Sequence, residues 1–193
     1  MSARELTLDP RTTGLVIIDL QKGIVGRPTE PHPAATVVAN AARLAEACRK
    51  CGSPVVLVRV TYSEDGADRL KQPVDATWTG GPLPPDWSEI VPELGPKPGD
   101  IVVIKRQWGA FYGTELDLQF RRRGIDTIVL AGISTNMGVE STARDAFELG
   151  YGLVLVEDAM ASMAADAHKF AIEAIFPRLG RVRSTGDVLR ALA

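Results

Sequence analysis

Long apolar runs are missing from this sequence. None approaches the roughly 18–20 residues that cross a bilayer, and the opening stretch MSARELTLDPRTTG lacks the apolar core of a secretory signal. A cytoplasmic protein with no membrane partner is the expectation. An excess of one charge is missing too. Against 22 Lys and Arg stand 24 Asp and Glu, a formal net charge of −2, which leaves no electrostatic reason to expect nucleic acid or an anionic surface as partner. Small molecules and protein surfaces remain. Cysteine and histidine are scarce, at two residues each. Cys48 and Cys51 form a CxxC, but a tetrahedral zinc needs more ligands than that supplies, no second CxxC follows, and His32 and His168 lie far off in the chain. A redox pair gains thiolate stability at a helix N-terminus. These two close a helix that stops at Gly52, where the dipole disfavours negative charge, so ordinary reduced cysteines are expected.

What is present is the alternation of an α/β chain. With 193 residues, 45% of them hydrophobic, one domain with a sizeable core fits. Continuous apolar runs suit parallel strands buried on both faces. They occur at Leu15 to Leu20, Val55 to Val60, Ile101 to Lys105, Thr127 to Ile133 and Leu153 to Glu157, with a short sixth strand at Arg181 to Ser184. Helical spacing runs from Ala34 to Cys51, where Val37, Ala41, Leu44, Ala45 and Cys48 share a face, and again from Ala164 to Phe176. Another helix starts at Thr114 with Thr114 and Asp117 as a plausible capping box, and a last one starts near Ser184 with Asp187 placed for a second. The expectation is a single domain with an open, mostly parallel six-stranded sheet and helices on both faces. From Thr61 to Gly99 the pattern dissolves into a Pro- and Gly-rich insert carrying Trp78 and Trp87, read equally as a functional lid or oligomer contact and as a surface excursion. There is no internal repeat and no low-complexity segment.

Ligands of such sheets bind beyond the C-terminal strand edges. Three strand ends carry chemistry there: Asp19, Lys105, and the turn after Ile133. That turn, through Ser134, Thr135 and Asn136, leads into a helix with Val139, Ala143, Ala146, Phe147 and Tyr151 as its apolar face. A strand, tight turn and helix N-terminus present unpaired backbone N–H groups. Here the position expected for a nucleophile is Gly138. Asp19 and Lys105 could form a structural ion pair, but delivered by neighbouring strand ends beside those donors they supply an acid/base group and a cation for hydrolysis or elimination at a polarised bond.

The pieces VIIDLQ, VIKRQWGAFYGTEL and VLAGISTNMGVESTARDAFELGY, in this order over nearly the whole chain, resemble the isochorismatase-like (cysteine hydrolase) superfamily. The resemblance implies a six-stranded parallel sheet flanked by helices, Asp19 as general acid/base, Lys105 as its partner, a non-proline cis peptide in the Ile133–Ser134 region, and a homo-oligomer (dimer or tetramer), for which the insert from Tyr62 to Pro92 is a candidate interface. The amidase members carry their nucleophilic Cys where this chain has Gly138; isochorismatases carry Gly. Cys48 and Cys51 cannot substitute, because they precede the strand at Val55 and six residues separate its edges by roughly 20 Å. In the nicotinamidase branch an Asp and histidines after the second strand bind a metal. The matching Val60 to Gly66 has no His, so neither metal nor cofactor is expected. What remains is isochorismatase-type chemistry, with a protonated Asp19 donating to the carbon of a vinyl ether; a non-catalytic small-molecule-binding or scaffold relative is the alternative. Isochorismatases also carry a Tyr-Ala-His-like triplet where this chain has Ser134, Thr135 and Asn136, which points to a different substrate. Trp108, Phe111 and Trp78 are candidate pocket walls, with core or interface packing as their alternative.

Overall fold

The computed structural model describes residues 6–76 and 83–192; Trp78, one candidate pocket wall, lies outside them. In chain order the elements are β1 (Thr13–Ile18), the single turn α1 (Lys22–Val25), α2 (Ala34–Cys51), β2 (Val55–Val60), β3 (Ile101–Lys105), α3 (Leu116–Arg122), β4 (Thr127–Ile133), a π-helical turn (Thr135–Val139) running into α4 (Glu140–Glu148), β5 (Gly152–Ala161), α5 (Ala165–Phe170), a second π-helical stretch (Ala171–Ile175) continued as α6 (Phe176–Leu179), β6 (Arg181–Arg183) and α7 (Thr185–Ala191). The six strands form one sheet in the order β3-β2-β1-β4-β5-β6, and every pairing is parallel. Sequence reading expected a mostly parallel sheet; it is wholly parallel. Continuous apolar strands demand cover on both faces. One face packs Leu15, Ile17, Leu57 and Val129 against α2 and α7 through Leu44, Cys48 and Val188; the other packs Val16, Ile18, Val58 and Leu130 against the Phe120, Val139, Ala143 and Phe176 side. Among the described residues no helix is long and apolar enough to cross a membrane.

This strand order places the reversal of winding between β1 and β4, the crevice where open α/β sheets bind ligands. Asp19 follows β1 and the π turn follows β4, so both flank it. Lys105, at the end of β3, is not on a neighbouring strand as expected: β2 lies between β3 and β1, and the lysine spans its end. Two backbone features fix the crevice. Gly132 has φ +127, and a Cβ there would stand 2.2 Å from the Ile18 carbonyl oxygen, so only glycine lets β4 approach β1 this closely. Asp19 itself has φ 52, the left-handed region that Asp tolerates better than most residues. The Ile133–Ser134 peptide is cis.

Several boundaries differ from the sequence reading. β1 begins at Thr13 and ends at Ile18, since Thr13 and Gly14 pair with Thr127 and Ile128, which leaves Asp19 just past the strand. β5 does not stop at Glu157: after a register shift it pairs Met160 with Gly132 and Ala161 with Ile133. The helix from Ala164 extends to Leu179 with its π-helical interruption. Phe147 is 50% exposed, because at about 100° per residue it lies near 90° from the centre of the stripe made by Val139, Thr142, Ala143 and Ala146. Thr114 makes no capping box. α3 starts later, at Leu116; the Thr114 hydroxyl donates to the Ala110 carbonyl and accepts from the Leu116 amide, while Asp117 accepts from the Tyr151 hydroxyl. The Ser184 and Asp187 box does form, with both reciprocal hydrogen bonds. The insert is irregular, as expected; its latter part is pinned where the Trp87 ring covers Gly23 and where Val91 and Leu94 enter the core. Both cysteines are free, and burial pushes the Cys48 thiol up to about 12, the condition of an inert packing residue.

Candidate active site

Asp19 and Lys105 meet. The ammonium donates to Asp19 Oδ2 at 2.7 Å and to the Gln107 carbonyl at 3.0 Å. The pair is almost closed from solvent, with Asp19 6% and Lys105 2% exposed. Asp19 Oδ1 is buried with no hydrogen-bond partner among the described residues, a condition a carboxylate avoids unless the site keeps that oxygen for another purpose. Burial dominates its titration: it pushes the carboxyl up to about 6, against the Lys105 cation and a nearby Val60 amide, which favour the charged form. The direction that sequence left open is upward.

Gly138 completes the group. A Cβ there would lie 3.3 Å from Asp19 Oδ2, 3.1 Å from an Ile18 methyl and 3.4 Å from the Trp108 carbonyl. The turn therefore packs directly against the carboxyl. The turn is braced from behind. The Thr142 hydroxyl donates to the Gly138 carbonyl and accepts from the Ala110 amide. Three strand ends thus converge as the sequence implied.

The other candidates divide. Trp108 is 58% exposed and lines a surface cleft of about 370 Å³ with Leu70, Gln107, Tyr112, Ser141 and Asp145. Phe111 is in the core, 7% exposed, with its ring 5.7 Å from that of Tyr151. Thr135 is fully buried, and its hydroxyl faces His168 Nδ1 at 2.8 Å. Asn136 is held by the Ser162 hydroxyl at 2.5 Å, and the Ser134 carbonyl accepts from the Met137 and Val139 amides. These three build the turn. A larger cavity, of about 400 Å³, opens among Pro10, Arg49, Gly52 and Asp100 at the opposite, N-terminal strand edge; it is remote from this chemistry.

Sequence reasoning missed two arrangements. Gln21 is fully buried; its amide donates to the Val60 and Trp87 carbonyls and accepts from the Val60 amide, so one side chain sets the ends of β1 and β2 and anchors the insert. A polar residue placed directly after an apolar strand was the available signal. His32 and His168 also come together, with rings 5.7 Å apart and Glu157 between them. Burial holds His168 below its ordinary pKa, against the Glu157 carboxylate, which raises it.

Known proteins share this architecture. The Isochorismatase domain matches residues 13–187. The chain is 55% identical over 187 residues to the uncharacterized isochorismatase family protein YecD of Escherichia coli O157:H7, covering 97% of this chain and 100% of that one. It is 32% identical to the ureidoacrylate amidohydrolase RutB of Agrobacterium fabrum, over 83% of this chain and 81% of that one. Among solved structures, an isochorismatase family protein from Burkholderia thailandensis superposes with a TM-score of 0.92 at 51% identity, covering 96% of this chain and 97% of its own. The fold is thus held in common with these proteins, and the chain belongs to the isochorismatase domain family.

Proposed function

We propose that this hydrolase acts without a cysteine nucleophile, using Asp19 as proton donor to the terminal carbon of a vinyl ether in a small carboxylate-bearing, isochorismate-type substrate. The observation that carries the reading is the buried Asp19 carboxyl with Oδ1 unpartnered among the described residues and its titration pushed up to about 6. A carboxyl in that condition holds a proton at nearly neutral pH and can give it away. Protonation of the enol carbon leaves an oxocarbenium ion. Water adds to that cation and loses a proton, and the hemiketal collapses to pyruvate and the free alcohol. Lys105 orients Asp19 through the 2.7 Å hydrogen bond and takes up the negative charge left when the proton departs. Glycine at position 138 lets the turn lie close against Asp19 Oδ2, where even a Cβ would be tight.

RutB is by name an amidohydrolase. Amide hydrolysis through a thioester needs a thiol at the turn, and position 138 carries no side chain, which favours the ether reaction here. Trp108, exposed in the surface cleft and with its carbonyl beside Gly138, is the proposed substrate contact; Ser134, Thr135 and Asn136 act by shaping the turn.

The test follows pyruvate release from isochorismate by purified protein. Wild type is expected to release pyruvate, and Asp19→Asn, which keeps the shape and removes the acid, to lose at least about a hundredfold, the usual worth of a general acid. If no pyruvate appears and Asp19→Asn leaves ligand binding unchanged, the enzymatic reading fails for this substrate and the non-catalytic binder stands.

A further inference from the structure

We infer that His32, Glu157 and His168 form a binding site for a divalent transition metal of the zinc, cobalt and nickel class. The three residues come from separate parts of the chain. His32 lies in the loop before α2, Glu157 on β5, and His168 on α5. His32 Nε2 is 2.6 Å and His168 Nε2 3.4 Å from the same oxygen, Glu157 Oε1, and one ligand atom from each residue lies within 4.8 Å of the others. Around a tetrahedral zinc with bonds of about 2.0–2.1 Å, ligand atoms stand about 3.3 Å apart. The His168 to Glu157 spacing already fits. The closer His32 contact opens by rotation of side chains that keep freedom, since His32 is 27% and Glu157 35% exposed.

Donor type and support agree with a metal. Two imidazoles and one carboxylate are a borderline donor set that suits zinc and its neighbours over magnesium or calcium. His168 is buried and is aimed by the Thr135 hydroxyl at its Nδ1, the outer hydrogen bond that metal-bound histidines keep to fix the ring and its tautomer. A hydroxyl both donates and accepts, so Thr135 can take the Nδ1 proton as an acceptor once Nε2 binds the ion. The loop carrying His32 is docked independently, by the paired Glu30 and Ser162 backbones and by the Ala165 amide on the Glu30 carboxylate. The ligands are therefore brought together by the fold itself. Because Thr135 belongs to the turn that also holds Gly138, a bound ion would tie the loop, β5 and α5 to the rear of that turn. This site is separate from the His-free segment that follows β2.

The test titrates Co²⁺ into untagged, chelator-stripped protein and records its visible d–d absorption alongside thermal melting. Wild type is expected to bind one equivalent and to melt higher when loaded. His32→Gln and Glu157→Gln are each expected to weaken binding at least tenfold while melting like the wild type without metal; His32→Gln sits on a loop, so it keeps the test decisive if the Glu157 variant does not fold. Cys51→Ser is expected to bind as wild type does. Absence of binding by wild type at millimolar Co²⁺, unchanged binding in the His32 and Glu157 variants, or loss of binding in the Cys51 variant would each overturn the site.

Discussion

Asp19 carries two opposed influences, and its usefulness depends on which is larger. The Lys105 ammonium at 2.7 Å favours the carboxylate, while near-complete burial disfavours any charge; burial prevails and the group titrates at about 6. For a general acid the active form is the protonated one. We therefore expect kcat/KM for vinyl-ether hydrolysis to decline as pH rises past about 6, with a slope of one proton. A rate that instead climbs through the same region would make Asp19 a base and remove the proposed mechanism. At this scale the sequence was informative about where Asp19, Lys105 and Gly138 lie, because each is a local event: a charge, or a missing side chain, where an apolar strand ends. It was poor for the aromatics. Trp108 and Phe111 stand in the same loop at the same kind of position, yet one is 58% exposed and the other 7%, a difference decided by whether Tyr151, far along the chain, offers a ring to pack on.

Elements were legible where periodicity is strong and obscure where neighbouring strands set the limits. Helix α2 appears with the bounds its spacing implies. The ends of β1 and β5 do not, because they are fixed by pairing partners: Thr13 by Thr127, and Ala161 by Ile133 beyond a register shift. Neither π-helical stretch has a signature in composition. The close approach of β4 to β1 gives a sharp expectation. In Gly132→Ala the added methyl would meet Ile18 backbone atoms at 2.2 and 2.6 Å with φ at +127. Neither strand can yield without breaking a pairing that runs from Thr13↔Thr127 to Ile18↔Gly132. Backbone strain and overpacking each cost about 1–3 kcal/mol, so a loss of at least about 3 kcal/mol should appear as a lower urea midpoint. An unchanged midpoint would mean that the crevice is not held at this spacing.

Over the whole molecule, the sheet order and the meeting of His32 with His168 were the least legible features, since both rest on contacts between segments distant in sequence. The same long-range assembly makes Asp19 a determinant of global stability. In the unfolded chain its carboxyl titrates near the ordinary value of about 3.9, whereas in the fold it titrates at about 6. Between those values the folded state binds the extra proton, so this group's contribution to stability is fully present below about pH 4 and is lost as pH rises to about 6. A separation of about two pKa units corresponds to about 3 kcal/mol. His168, held below its ordinary pKa by burial, acts in the opposite sense, because the folded state resists its proton, so the raw pH profile mixes both. Comparison with Asp19→Asn separates them. The variant lacks only the carboxyl titration, and its stability relative to wild type should therefore rise by up to about 3 kcal/mol between pH 4 and pH 7, read from urea unfolding at each pH. Parallel curves would mean that the carboxyl titrates alike in both states, and neither its burial nor its role as a proton reservoir would then hold.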